Sequence, residues 1–178
     1  GLTSYEALHR WSVTNREAYW ETMVQRLGIP FHQPYQRILN CKKGIEQPEW
    51  LFGATLNIAE ACLQAQPGAT AITYGHEDGT IDQWSYHQLQ ERAFQVANGL
   101  QAGGFEKGHR AAICMPMTAE AVAIYLGVIL AGGAVVSIAD SLAPAEVEKR
   151  LTIAETDLLF TQDVIPRNGK QIALYAKL

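Results

Sequence analysis

Cysteine is scarce in this chain of 178 residues: Cys41, Cys62 and Cys114 stand far apart, and no C-x-x-C pair occurs. An odd, dispersed set cannot build a disulfide framework, and free cysteines of this kind act as small buried hydrophobes in a reducing compartment. The histidines, His9, His32, His76, His87 and His109, include no i, i+4 pair of the kind a helical zinc site needs, so no metal is assigned. Charge of one sign is also lacking. With 14 basic and 18 acidic residues and a net charge of -4, the chain has no electrostatic footprint for nucleic acid. Its 48% apolar content, against 18% charged, excludes a disordered chain. No G-x-G-x-x-G or G-x-S-x-G motif occurs. Gly103 and Gly108 have the Walker A spacing, but His109-Arg110 stands where Lys-Ser/Thr is required, and the segment leads into a strand instead of a helix.

One charge-free stretch is membrane-like, residues 121–139. It has the length of a bilayer span, yet Gly132-Gly133 divides it into a helical half and a half rich in β-branched residues, Val135, Val136 and Ile138. A buried helix turning into a buried strand stays uncharged over the same length without lipid, so no transmembrane segment is expected. The first ten residues hold no apolar signal-peptide core. Because the chain starts at Gly1 and not at Met, its N-terminus is expected to be processed or excised.

What is present falls into two parts. In residues 1–68, Thr14 and Glu17 have capping-box spacing ahead of Tyr19, Trp20, Met23, Val24 and Leu27, and Gly28 and Pro30 stop that helix. Residues 31–50 carry Pro34, Gly44 and Pro48 without a sustained period and read as an irregular aromatic arm. A short helix over 57–64 follows. From residue 69 the pattern is regular. Strands over 71–74 and 81–84 flank Glu77-Asp78-Gly79, a strong turn signal. Ser85 and Gln88 cap a helix whose stripe is Tyr86, Leu89, Ala93, Val96, Ala97 and Leu100, ending at Gly103-Gly104. Then come a strand over 110–115, a helix over 118–131, a strand over 134–138, a helix opened by Pro144 with a Glu146–Arg150 pair, and a strand over 157–161. The fold class is α/β: an N-terminal irregular and helical arm, then the first βαβ units of a doubly wound parallel sheet.

Ligands in such sheets sit beyond the carboxyl ends of the strands. Thr118 after the first of these strands either caps a helix or leaves its N-terminus facing a ligand. Asp140-Ser141 after the second either binds a polar group or shapes the turn. After the third come Asp163 and Arg167-Asn168-Gly169-Lys170, two cations around a turn, which suit a phosphate or form a solvated loop. Glu77, Asp78 and Asp82 surround the hairpin turn and read as solvated, not as a general acid/base pair.

Several blocks resemble the acyl-activating enzymes of the acetyl-CoA synthetase type, in the adenylate-forming superfamily. They are Trp11-Ser12-Val13 through Trp20, Trp50-Leu51-Phe52-Gly53-Ala54-Thr55-Leu56-Asn57, the run from Ala111 to Ala121 followed by Gly132-Gly133-Ala134-Val135, and Phe160-Thr161-Gln162-Asp163 with Arg167 to Lys170. The resemblance covers nearly the whole chain in one order. It implies an arm over 1–68 and, over 69–178, the first part of the large adenylate-forming (AMP-binding) domain. It implies an enzyme using ATP, with Mg, to turn a carboxylic acid into an acyl-adenylate and then passing the acyl group to CoA. The Ser/Thr/Gly-rich adenylation loop of that family is absent from these residues, so no catalytic residue is assigned and the polypeptide alone is expected to be inactive.

In that family, basic residues at Arg167 and Lys170 contact the nucleotide end of CoA, and the loop holding Ser141 borders it. Asp140-Ser141-Leu142 replaces the family's glycine-rich, aromatic-flanked turn. The expected partners are the acid, ATP, CoA, the remainder of the chain, and, for the isolated piece, other copies of itself. The expected compartment is the cytoplasm, with the peroxisome open because a C-terminal address would lie elsewhere. A different class, a non-catalytic α/β module docking through its Trp-rich arm, is the alternative.

Overall fold

The computed structural model describes residues 3–178, which divide into two compact units, the first ending at Asn57 and the second starting at Ile58. The first holds helices α1 (Tyr5–Thr14) and α2 (Arg16–Leu27) and strands β1 (Arg37–Asn40) and β2 (Glu49–Phe52). Ser4 caps α1, its hydroxyl oxygen accepting the Ala7 N–H. Thr14 ends that helix and donates its hydroxyl to the Arg10 carbonyl at 2.8 Å. The expected Thr14–Glu17 capping box therefore does not form: Asn15 occupies the N-cap of α2 and makes no side-chain cap bond. Gly28 closes α2 in the left-handed region at φ 58°, as its position predicts.

The stretch expected to be irregular contains an antiparallel hairpin, β1 with β2, in which Leu39 faces Trp50. Trp11, Tyr19, Trp20 and Trp50 form an edge-on chain with ring centroids 5.4–5.9 Å apart. Such contacts contribute beyond the area they bury, and they organise an arm with few buried aliphatics. Tyr35 donates its hydroxyl to Glu21 at 2.7 Å, which pushes its phenol pKa up.

The second unit opens with α3 (Ile58–Cys62) and the antiparallel pair β3 (Thr70–Gly75) and β4 (Ile81–Ser85). Its turn is internally braced: the Asp78 carboxylate accepts the Thr80 N–H at 2.9 Å and the Thr80 hydroxyl at 2.7 Å. The predicted capping box of α4 (Tyr86–Ala102) is complete, with the Gln88 N–H on the Ser85 hydroxyl and the Ser85 N–H on the Gln88 side chain. The face of α4 that is buried, Leu89, Ala93, Ala97 and Leu100, lies within the predicted stripe.

The parallel sheet has the order β6 (Ala134–Ser137), β5 (Arg110–Cys114), β7 (Leu158–Thr161), with α5 (Ala119–Leu130) and α6 (Pro144–Ala154) as crossovers. Successive β5 side chains serve opposite faces. Ala111 packs with Ala97, Leu100, Val128 and Ala131 beside α4 and α5. Ala112 and Cys114 pack with Ile138 and Val147 beside α6. A strand buried on both faces is uniformly apolar, which is why Ala111 through Cys114 carries no polar residue. The uncharged run is thus helix α5 followed by strand β6, and among the described residues no helix is long and apolar enough to cross a membrane.

Past β7 the structure adds what the pattern did not show: an antiparallel hairpin of β8 (Val164–Arg167) and β9 (Lys170–Ala173), then α7 (Leu174–Lys177). Ile165 and Leu174, both fully buried, anchor its base.

Candidate functional site

In a sheet ordered β6-β5-β7 the chain reverses its direction of progress at β5, and the crevice lies outside the carboxyl ends of β5 and β7. A cleft of about 600 Å³ occupies that place. Pro116 and Thr118 enter it from the loop after β5, Gln162 and Arg167 from the segment after β7, and Tyr74 and Glu77 from the β3–β4 hairpin. Thr118 caps α5, its hydroxyl oxygen taking the Ala121 N–H at 3.2 Å, and is itself buried.

Of the sequence-predicted residues, Arg167 lines this cleft, and Lys170 and Ser141 are not part of its lining. Asn168 and Gly169 are both left-handed, at φ 52° and 71°, and form the two-residue loop that turns β8 into β9. Asn-Gly supplies this pair of positive φ angles at low cost, so the turn is a fixed hairpin tip and not a loose loop. It sets Arg167 and Lys170 directly opposite each other in the register. Lys170 is exposed. Arg167 reaches back across the sheet edge and donates from Nη2 to Asp140 Oδ2 at 2.7 Å.

The Asp140 side chain is only 10% exposed, so this is a partly buried pair at the end of β6. Lys177 Nζ adds a contact of 3.4 Å to the Asp140 carbonyl. The hydrogen bond to Asp140, reinforced by the carboxylate's charge, raises the guanidinium's already high pKa, and the Glu77 charge acts in the same direction. Ser141, exposed, follows Asp140 directly, which brings the third predicted residue to the same corner.

Glu77, read as a solvated turn residue, does more than that. One oxygen accepts the Asn168 N–H at 2.9 Å and the other the Gly169 N–H at 3.5 Å. A separation of 91 positions hid this from local reading. Asp82, its neighbour in that hairpin, pairs instead with His76 at 2.8 Å on the exposed face.

Among the described residues no group of three or more His, Cys, Asp or Glu side chains is placed to hold a metal ion. The polar groups at this corner are a guanidinium held by Asp140, the exposed ammonium of Lys170 on the paired strand, and two turn N–H groups held by Glu77.

The same chain architecture is found in known enzymes. The acetoacetyl-CoA synthetase structure from Streptomyces lividans superposes with a TM-score of 0.92 at 29% identity, over 98% of this chain and 27% of that one. The probable acyl-activating enzyme 18, peroxisomal, of Arabidopsis thaliana is 41% identical over 99% of this chain and 25% of its own length. The hexanoyl-CoA synthase of Cannabis sativa is 37% identical over 99% and 26%, so the chain spans about a quarter of these relatives. The acetyl-coenzyme A synthetase N-terminus family matches residues 5–62, bearing out the resemblance of the arm. With the AMP-binding enzyme family matching residues 59–177, the parallel sheet and its cleft included, the chain belongs to the AMP-binding enzymes.

Proposed function

We propose that this chain is the front part of an acyl-CoA synthetase. The enzyme takes a carboxylic acid and ATP to an acyl-adenylate with release of pyrophosphate, and the acyl group then passes to the thiol of CoA. The observation carrying this reading is the end-to-end likeness to acyl-CoA-forming relatives across both the arm and the sheet. Residues 1–68 act as the arm and residues 69–178 as the beginning of the adenylate-forming domain. The acid, ATP and CoA are its substrates, with a magnesium ion accompanying ATP on groups outside these residues. The peroxisome in the name of the Arabidopsis relative is a compartment the full-length protein can share. N-terminally tagged protein co-localising with a peroxisomal marker would support that placement, and diffuse cytoplasmic signal would refute it.

Within the chain, Arg167, Lys170 and Ser141 hold the nucleotide end of CoA. A guanidinium presents paired donors to phosphate oxygens, an ammonium adds a point charge, and a hydroxyl borders them. In full-length protein, Arg167→Ala and Lys170→Ala are each expected to raise KM for CoA about tenfold, the loss of one charge-assisted hydrogen bond, with KM for ATP unchanged. Equal effects on both substrates would remove the assignment. Carboxylate-dependent ATP–pyrophosphate exchange is expected from the full-length protein and not from this polypeptide alone; exchange by the latter would overturn the reading of its role.

A further inference from the structure

The Asn168-Gly169 turn presents two consecutive backbone N–H groups outward, because neither residue belongs to the β8–β9 ladder. Successive N–H groups in a turn form a concavity suited to an anion. Here an anion already sits in it. The Glu77 carboxylate places one oxygen on each N–H, at 2.9 and 3.5 Å, from a different hairpin.

Three observations show that Glu77 is not needed there for the fold. The side chain is exposed at a turn tip. That turn is braced without it, by Asp78 holding both the N–H and the hydroxyl of Thr80. The β8–β9 hairpin is anchored from its other end by buried Ile165 and Leu174.

The charges around the turn reinforce the point. Arg167 is already bonded to Asp140, and Glu77 faces the same cleft as Arg167. Asp140 thus already holds Arg167, and Glu77 adds a second carboxylate directly on the turn, which a phosphate approaching these N–H groups must displace. Once Glu77 leaves, the corner gains one unit of positive charge and two vacant N–H donors together. Because Glu77 returns to water, it recovers its hydrogen bonds as it goes, and the exchange is one anion for another on the same donors.

We propose that the Asn168–Gly169 N–H pair is a phosphate subsite and that Glu77 is its intramolecular occupant, displaced when a phosphate of the substrate arrives. The naming of that phosphate as one of CoA's rests on the function proposed above; the subsite itself does not. Glu77 is therefore a competitor, and its removal strengthens binding. A carboxylate that merely held the hairpin in place would have the opposite sign.

Isothermal titration of full-length protein with CoA and with 3′-dephospho-CoA, at one ionic strength, tests this. Glu77→Ala is expected to bind CoA three- to tenfold more tightly than wild type. Glu120→Gln, which removes a charge from the same cleft without touching the turn, is expected to change affinity less than twofold. A gain lost with 3′-dephospho-CoA places the 3′-phosphate on the N–H pair, and a gain that persists places the pyrophosphate there. Unchanged or weaker binding by Glu77→Ala, with a melting temperature equal to wild type, overturns the proposal. So does an equal gain from Glu120→Gln. If Arg167→Ala weakens CoA binding while Glu77→Ala fails to tighten it, the subsite falls and the CoA reading stands. A gain from Glu77→Ala with indifference to Arg167→Ala and Lys170→Ala has the reverse meaning.

Discussion

Burial makes Cys114 inert. It lies with no exposed surface at the end of β5, and desolvation, helped by the charge of Asp140, pushes its thiol pKa up, so the nucleophilic thiolate is scarce at neutral pH. Cys41 and Cys62 are exposed. Brief iodoacetamide treatment of the native polypeptide should add two adducts, with the third appearing only in denaturant; three rapid adducts in native buffer would contradict the packing of β5. Arg167 and Lys170 were legible as a cationic turn because Asn-Gly between two basic residues is a local signal. Their partners were not. Asp140 meets Arg167 across 27 positions and Glu77 meets the turn across 91, distances over which only the folded sheet decides who touches whom.

At the scale of elements, the elements with regular periodicity and clear punctuation were legible. Ser85 and Gln88 make the reciprocal cap that their spacing predicts, and Ser85→Ala should cost about 1 kcal/mol in chemical denaturation. The same spacing at Thr14 and Glu17 misled, because a preceding helix, α1, claims Thr14 as its last residue. Helix α1 buries no residue, and its cap is Ser4, ahead of the Thr14–Glu17 spacing. The strands of hairpins β1–β2 and β8–β9 are no shorter than β6 and β7, but Arg37, Asn40, Glu49, Pro166, Arg167 and Lys170 interrupt them, so no apolar run marks them. Packing of α4 on α5 depends on Gly127: a Cβ there would lie 2.6 Å from Val96 and 2.8 Å from the Ala93 carbonyl. Gly127→Ala, favourable to an isolated helix, should instead destabilise the protein by about 1–3 kcal/mol in denaturant titration, since backbone on the facing helix cannot yield easily.

For the whole molecule, the two units differ in how they hold together. The first relies on an aromatic chain and two helix ends, the second on a sheet enclosed by helices. Both leave apolar surface in water: Met117 is 81% exposed, Ile153 72% and Tyr5 76%. An apolar pocket of about 300 Å³, lined by Ile113, Met115, Met117 and Tyr125, opens beside β5 and α5. Apolar surface left in water favours association. Sedimentation velocity on the isolated polypeptide should therefore show mass rising with concentration, and a single monomeric species across a wide concentration range would count against it.

The sequence by itself determined the α/β class, the alternation from β5 to β7, the family likeness and the cationic turn, because each rests on spacing within a few residues or on ordered motif blocks. The tertiary structure decided the pairing of Arg167 with Asp140, the seat of Glu77 on the Asn168–Gly169 N–H groups, and the cleft that Glu77 and Arg167 both line. Those contacts join segments of three separate sheets that are remote along the chain, and their approach follows from how the elements pack, which no local pattern encodes.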